Sequence, residues 1–390
     1  MDTNRLQQEL EQIRSLEPVN DLIDTNFHRN GLCFPSEPIL QAMQGYLSNR
    51  LYEPDPKGDL GARSAICRYY AQHGVNIAED RVLLTASSSE SYNLLFNNFT
   101  SPGDNILLPR PTYPLFEYLA DFNHLEVRYY DLDPEREYRI DLESISAALD
   151  ERTRFFVLIS PSNPVGRAAS SDELQAALQL VLPHGIMVIT DEVFSEFVYD
   201  RKPLARPAEI AAQAGLPGLL FTLNGISKMF ASPDLKLGWI AVSGEPSAAD
   251  AAVEKLEIAI DMFLNCNSFS QYLLPVMFRT GSQFQERMIA QLDRNRRALI
   301  ERLSAVPRIR LTVPDSGIHC IIEVVGMGDM DDEQFALELL RRKKVYVHPG
   351  YLYGIEDRLC VVVSFLRSEE ALIAGLDAIA EFVRETGAAQ

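Results

Sequence analysis

LLFTLNGISKMFASPDLKLGWIAVSG, residues 219–244, sets the frame for reading the rest of the chain. It opens on an unbroken apolar run from Leu219, turns at Gly225, places Ser227 and Lys228 just after the turn, and closes on a second apolar run from Gly238. Continuous rather than alternating apolar runs suit strands buried on both faces of a mainly parallel sheet. Outward from this stretch the same signal recurs in IMVITD from Ile186, FFVLIS from Phe155, LEVRYYDL from Leu125, NILLPR from Asn105 and RVLLTA from Arg81. The segments between them read as helices. One opens with a capping box, Ser170 to Glu173, ahead of Leu174, Ala177 and Leu178. The alternation predicts an α/β protein with a doubly wound, mainly parallel, seven-stranded sheet.

Past Thr280 the character changes. A charged helix is expected over residues 282–305, then strands near 319–325, 345–347 and 359–365, and a last helix from Glu369 toward Glu385. This reads as a smaller α+β domain, giving an N-terminal segment (1–45) that joins it, a large domain (46–280) and a small domain (281–390).

The 390 residues are 46% hydrophobic and 23% charged, ordinary globular values. A formal net charge of −19 argues against nucleic acid, which needs Lys and Arg in excess. The basic run Arg341–Lys344 reads as the end of a helix, where cations complement the macrodipole. Five scattered cysteines (Cys33, Cys67, Cys266, Cys320, Cys360) with no CxxC pair fit reduced thiols in a cytoplasmic protein rather than a disulfide framework or a zinc site. The first residues carry no apolar signal core, and no apolar run approaches the ~18 residues of a membrane span. The single tryptophan, Trp239, reads as core.

In doubly wound sheets ligands sit at the carboxyl ends of the strands. Those ends here carry Ser87-Ser88-Ser89-Glu90, then Ser160-Pro161-Ser162-Asn163-Pro164-Val165-Gly166, then Asp191-Glu192, then Ser227-Lys228. Small residues opening a helix suit a phosphate held by backbone N–H groups and hydroxyls. Each piece alone has a plain structural explanation as a helix cap or a surface lysine; their order and spacing together point to a site.

TASSSE, PGDNILLPRPTYP, SPSNPVGR, TDEVF, GISKMFASPDLKLGW and HPGYLYG together resemble the fold-type-I pyridoxal-5′-phosphate (PLP) enzymes of aminotransferase class I/II, over about residues 24–382. The resemblance implies PLP as cofactor and transfer of an amino group between an amino donor and a 2-oxo acid by a ping-pong mechanism. It implies Lys228 as the Schiff-base lysine and proton shuttle, and Asp191 as the carboxylate that keeps the pyridinium nitrogen protonated. Asn163 matches the donor to the ring hydroxyl, Tyr113 the aromatic stacked on the ring, and Ser88, Ser89, Ser227 and Lys236 the phosphate-binding group. Tyr52, in YEPDPKG, matches a tyrosine that reaches the neighbouring subunit's phosphate, which implies a homodimer with composite active sites.

Four positions depart from the family pattern. Phe194 stands where a tyrosine donates to the ring hydroxyl, which should keep the cofactor linkage protonated to higher pH. Gly225 replaces a serine, and Lys236 replaces an arginine, keeping charge without the bidentate fork. Val362 stands where the family arginine holds the substrate carboxylate. A substitute for it is sought in Arg29 and His28 of NFHRNG, while Arg358 and Arg367, four and five residues from Val362, are expected to point elsewhere. Phe27, Tyr351 and Tyr353 suggest an apolar or aromatic pocket wall. Phe194 and Val362 keep a PLP-dependent lyase (C–S or β-elimination) or a PLP-dependent oxidase open as alternatives. A cofactor-binding sensor without turnover is disfavoured by the intact Lys228, Asp191 and Asn163.

Overall fold

The computed structural model describes residues 4–50, 52–200 and 203–388. Its strands, in chain order, are β1 (Asn20–Asp21), β2 (Val82–Thr85), β3 (Asn105–Arg110), β4 (Glu126–Asp133), β5 (Arg139–Ile140), β6 (Thr153–Ile159) and β7 (Met187–Asp191). They continue with β8 (Leu219–Gly225), β9 (Gly238–Gly244), β10 (Ile309–Leu311), β11 (His319–Val324), β12 (Val345–Tyr346), β13 (His348–Pro349) and β14 (Cys360–Ser364).

Each of the seven apolar runs forms a strand of one large sheet, in the order β2-β9-β8-β7-β6-β3-β4-β5. The sheet has eight strands, not seven, because β5 adds a two-residue antiparallel edge beside β4. So short a piece, with one residue exposed, has no periodic signal. Pairing from β4 through β8 is parallel, while β9 runs antiparallel to both neighbours. The carboxyl ends of β2, β6, β7 and β8 therefore lie along one margin. Strands buried along almost their whole length explain the unbroken apolar runs.

The predicted charged helix is Ser282–Ser304 and the last helix Glu369–Ala388. Between them β10-β11-β14-β13 form an antiparallel sheet. The strand expected over 345–347 is two short ones: β12 pairs in parallel with β1, and β13 pairs with β14. The N-terminal helix Arg5–Arg14 packs on Asp332–Lys343, tied by the Arg341 guanidinium to Glu9 at 2.8 Å, whereas the helix Ser36–Ser48 packs on Ser268–Thr280. The rest of the basic run is also paired: Arg342 and Lys343 reach Glu385, and Lys344 reaches Glu17. Trp239 is fully buried, its indole N–H donating to Tyr70.

Two glycines set how closely the elements meet at the functional margin. A Cβ on Gly225 would lie 2.8 Å from the Leu237 carbonyl oxygen, and one on Gly238 would lie 2.9 Å from the backbone of Ser87. The close approach of β8 to the start of β9 accounts for glycine at 225, where the family pattern has serine, and the approach of β9 to the opening of the helix Ser88–Phe99 accounts for glycine at 238.

Candidate active site

A cavity of about 330 Å3 opens at the carboxyl ends of β2, β6 and β7, roofed by β11 and β13 of the small domain. Its walls bring together Ser88, Ser89, Tyr113, Asn163, Asp191, Phe194 and Lys228. Local folding fixes each. Ser87 caps the helix Ser88–Phe99 by accepting from the Glu90 N–H, so Ser88 and Ser89 open its first turn at the positive end of the helix dipole. Asp191 ends β7, and Lys228 sits in the single turn Ile226–Met229 that follows β8.

Asp191 is 6% exposed. The Val193 N–H donates to its Oδ1 at 3.0 Å and the Tyr92 hydroxyl donates to its Oδ2 at 3.0 Å. Burial pushes its carboxyl up to about 6, against the lowering effect of those two donors. The adjacent Glu192 is committed elsewhere, to a buried ion pair with Arg206, which also stacks on Tyr69 and Tyr70. Asp191 makes no ion pair among the described residues. Lys228 places its amine 5.6 Å from the Phe27 ring and 5.8 Å from the Phe194 ring, and desolvation lowers its pKa. Phe194 is buried, edge-on to Phe197 and to His319.

The polar groups of this cavity are incompletely paired. Asn163 Oδ1 is sealed from solvent with no partner among the described residues, and the buried Asp191 carboxylate is met only by two neutral donors. Buried groups left in this way are costly unless a ligand completes them. PLP fits the set: a ring nitrogen for Asp191, a ring hydroxyl beside Asn163, an aldehyde for Lys228, an aromatic face for Tyr113, and a phosphate for the helix opening at Ser88 and Ser89.

The remaining expected residues lie outside the cavity wall. Ser227 adjoins Lys228 but does not line it, and Lys236 is exposed, in a left-handed conformation (φ +50°) ahead of β9. Tyr52 is exposed on another face. Arg29 points to solvent in a bidentate pair with Asp24, and the His28 ring is held at the Ala231 carbonyl, so neither replaces the missing arginine within this chain. Arg367 also turns to Asp24 and Asn30, and Arg358 to Asp357. Val362 is fully buried among Tyr353, Ile321 and Cys360.

Three residues to which the sequence reading gave no role complete the site. Tyr92 follows Ser88 and Ser89 by four and three positions on the same helix, the spacing that places side chains on one face. His319 and His348 come from the small-domain sheet; His348 opens the HPGYLYG motif, but only strand pairing brings it together with His319.

A family model described as aminotransferase class I and II matches residues 27–374. The probable aminotransferase TAT1 of Arabidopsis thaliana is 29% identical over 325 residues, 81% of this chain and 72% of that protein. The S-alkyl-thiohydroximate lyase SUR1 of the same plant is 30% identical over 325 residues, 81% of this chain and 70% of that one. Among solved structures, an aminotransferase from Escherichia coli superposes with a TM-score of 0.89 at 22% identity, covering 98% of this chain and 95% of its own.

Proposed function

This chain belongs to the aminotransferase class I and II family, and on that premise we propose how its own residues perform the transfer and how the molecule assembles. It is a PLP-dependent enzyme that moves an amino group between an amino donor and a 2-oxo acid. Bound in the site, PLP supplies an aldehyde to carry the amine and a ring to take up the electrons freed at the substrate α-carbon. The convergence of Lys228, Asp191 and Asn163 on one cavity carries this reading.

Lys228 would hold the cofactor through Nζ and serve as the group that moves the substrate's α-carbon proton; desolvation lowers its pKa, which favours that proton-carrying role. Asp191 pairs with the ring nitrogen and keeps it protonated. Tyr92 holds that carboxylate in place. Asn163 meets the ring hydroxyl, Tyr113 covers the ring face, and Ser88 and Ser89 with their backbone N–H groups take the phosphate. Ser227, next to Lys228 in the chain, and the exposed Lys236 remain the further phosphate-binding residues that the family resemblance implies.

The assembly we favour is a homodimer. Leu40 and Leu47 on one helix, with Met262 and Phe263 beyond the helix Pro246–Asp261, are strongly exposed, and a groove beside them holds Tyr46, Tyr52 and Tyr272. An apolar face of this kind suits a second copy, to whose cavity Tyr52 would extend. Light scattering giving only the single-chain mass would remove this reading. The five unpaired cysteines favour a reducing, cytoplasmic setting, which localisation of a tagged chain would check.

The function itself is tested by the visible spectrum of the PLP-loaded protein. A competent amino donor bleaches the yellow colour, and a 2-oxo acid restores it. Ammonia release without need of a 2-oxo acid would instead mark elimination or oxidation.

A further inference from the structure

Val362 leaves the small-domain face of the cavity without an arginine, yet that face is not apolar. In the register of the sheet Val362 stands opposite Ile321 on β11 and opposite His348 on β13. Residues directly opposite in an antiparallel ladder share a face, and so do residues two apart on one strand. His319, Ile321, Val362 and His348 therefore project from the same side, and both histidines line the cavity. Among the described residues of that wall Lys228 is the sole lysine or arginine.

The two imidazoles are placed to do something. His319 is 7% exposed, and its Nδ1 is sealed from solvent without a hydrogen-bond partner. It stands edge-on to Phe194, on the cofactor side. His348 Nδ1 lies 3.0 Å from the Tyr353 hydroxyl. With Tyr353 donating there, Nε2 carries the hydrogen and is free to donate. Burial, reinforced by Lys228 and His348, holds the His319 ring down at about 3; burial also holds His348 down at about 4. Both rings are thus uncharged at neutral pH and offer N–H donors without carrying a buried charge.

We propose that His319 and His348 hold the substrate's carboxylate as a pair of N–H donors, at the place on the small-domain sheet where Val362 stands instead of arginine. The proposal rests on the aminotransferase reading, because an amino acid and a 2-oxo acid both bring a carboxylate to this cavity. A hydrogen bond from a neutral N–H to a carboxylate is charge-assisted, though it lacks the planar fork of a guanidinium. Phe116, Leu115 and Ile159 on the same walls suit an apolar or aromatic remainder of the substrate.

Calorimetric binding of 3-phenylpropanoate and of its uncharged amide, 3-phenylpropanamide, to the PLP-loaded protein tests this without any turnover. The wild type is expected to prefer the carboxylate about tenfold or more, the worth of a hydrogen bond to a charged group. His319→Phe with His348→Phe levels the two probes, His319→Gln keeps much of the preference, and His348→Arg raises it. Absence of the preference in the wild type, or its survival in the double variant, overturns the proposal. Should the double variant not fold, an unchanged preference in His348→Arg does the same. Amino transfer is followed separately by the bleaching of the yellow colour, so failure there strikes the functional reading and leaves the binding result to stand alone.

Discussion

The cavity has two halves built on different principles. The large-domain half sets Ser88, Ser89, Asn163, Asp191 and Lys228 at the ends of parallel strands, each in its own short motif. The small-domain half is assembled differently: one of its residues, His348, opens the HPGYLYG motif, but His319, Val362 and His348 come from three strands and meet only through their register. The difference follows from what each half must hold. A cofactor of fixed shape demands fixed groups at fixed strand ends, whereas a substrate can be met by many combinations of side chains. Substitutions in the cofactor half should therefore damage the chemistry, and those in the substrate half should change choice among substrates.

The largest effect belongs to Lys228→Ala. Loss of both the covalent anchor and the proton carrier should cut turnover about 10,000-fold, with PLP still bound but its lysine-linked yellow band lost. Retained turnover above about a hundredth of wild type would break the division between the halves at its strongest point.

Asp191→Asn comes next and should separate function from stability. Burial raises this carboxyl from its ordinary 3.8 to about 6, which corresponds to about 3 kcal/mol. Between those two values the folded, cofactor-free protein keeps a proton that the unfolded chain has released. Its stability therefore falls as pH rises through that window, and the full penalty stands above it. The uncharged amide carries no such penalty, so the cofactor-free variant should melt higher than wild type at neutral pH. Turnover should fall about 1,000-fold, as for loss of a preorganised electrostatic partner. A cofactor-free variant that melts lower would show that Asp191 is not strained in this way.

How much of this was legible in the sequence follows from the same division. Each parallel strand is buried on both faces, so its composition is continuous and apolar and it could be read directly; β5, with two residues and one exposed, could not. The motif residues Asn163, Asp191 and Lys228 could be placed because strand ends are where such sheets bind ligands. Arg29 looked available in the sequence because nothing there shows that Asp24 folds back onto it. His319 and His348 lie far apart along the chain, and their shared face exists only once β14 lies between their strands. Tyr92 was recoverable in principle from helical spacing, but a tyrosine on an apolar helix face reads first as core.

Tyr92→Phe sharpens the comparison by testing whether a residue without a motif belongs to the cofactor half. Removing the hydroxyl takes one donor from Asp191 and should raise its pKa further above about 6. Cofactor dissociation should quicken by about tenfold, the worth of one hydrogen bond to a charged group. The pH below which PLP is released should also move upward, since a protonated carboxyl no longer holds a cationic ring nitrogen. A merely structural loss would weaken binding equally at every pH, and that result would return Tyr92 to the core.

The smallest effect expected is from Phe194→Tyr, the one cavity-lining place where the cofactor half departs from its family pattern. Phe194 is 5% exposed and packed edge-on against Phe197 and His319. A hydroxyl added there must find a partner or cost about 1–3 kcal/mol as a buried, unsatisfied group. Its natural partner is the deprotonated ring oxygen of the cofactor. Donation to that oxygen favours the deprotonated form of the yellow chromophore and should lower its apparent pKa by about one unit. A spectral pH titration of both proteins measures the shift. If wild type titrates no higher than the variant, the missing donor has already been replaced from the facing half, and His319, edge-on to Phe194, is a group able to do that. The boundary between the two halves would then run through His319 rather than beside it.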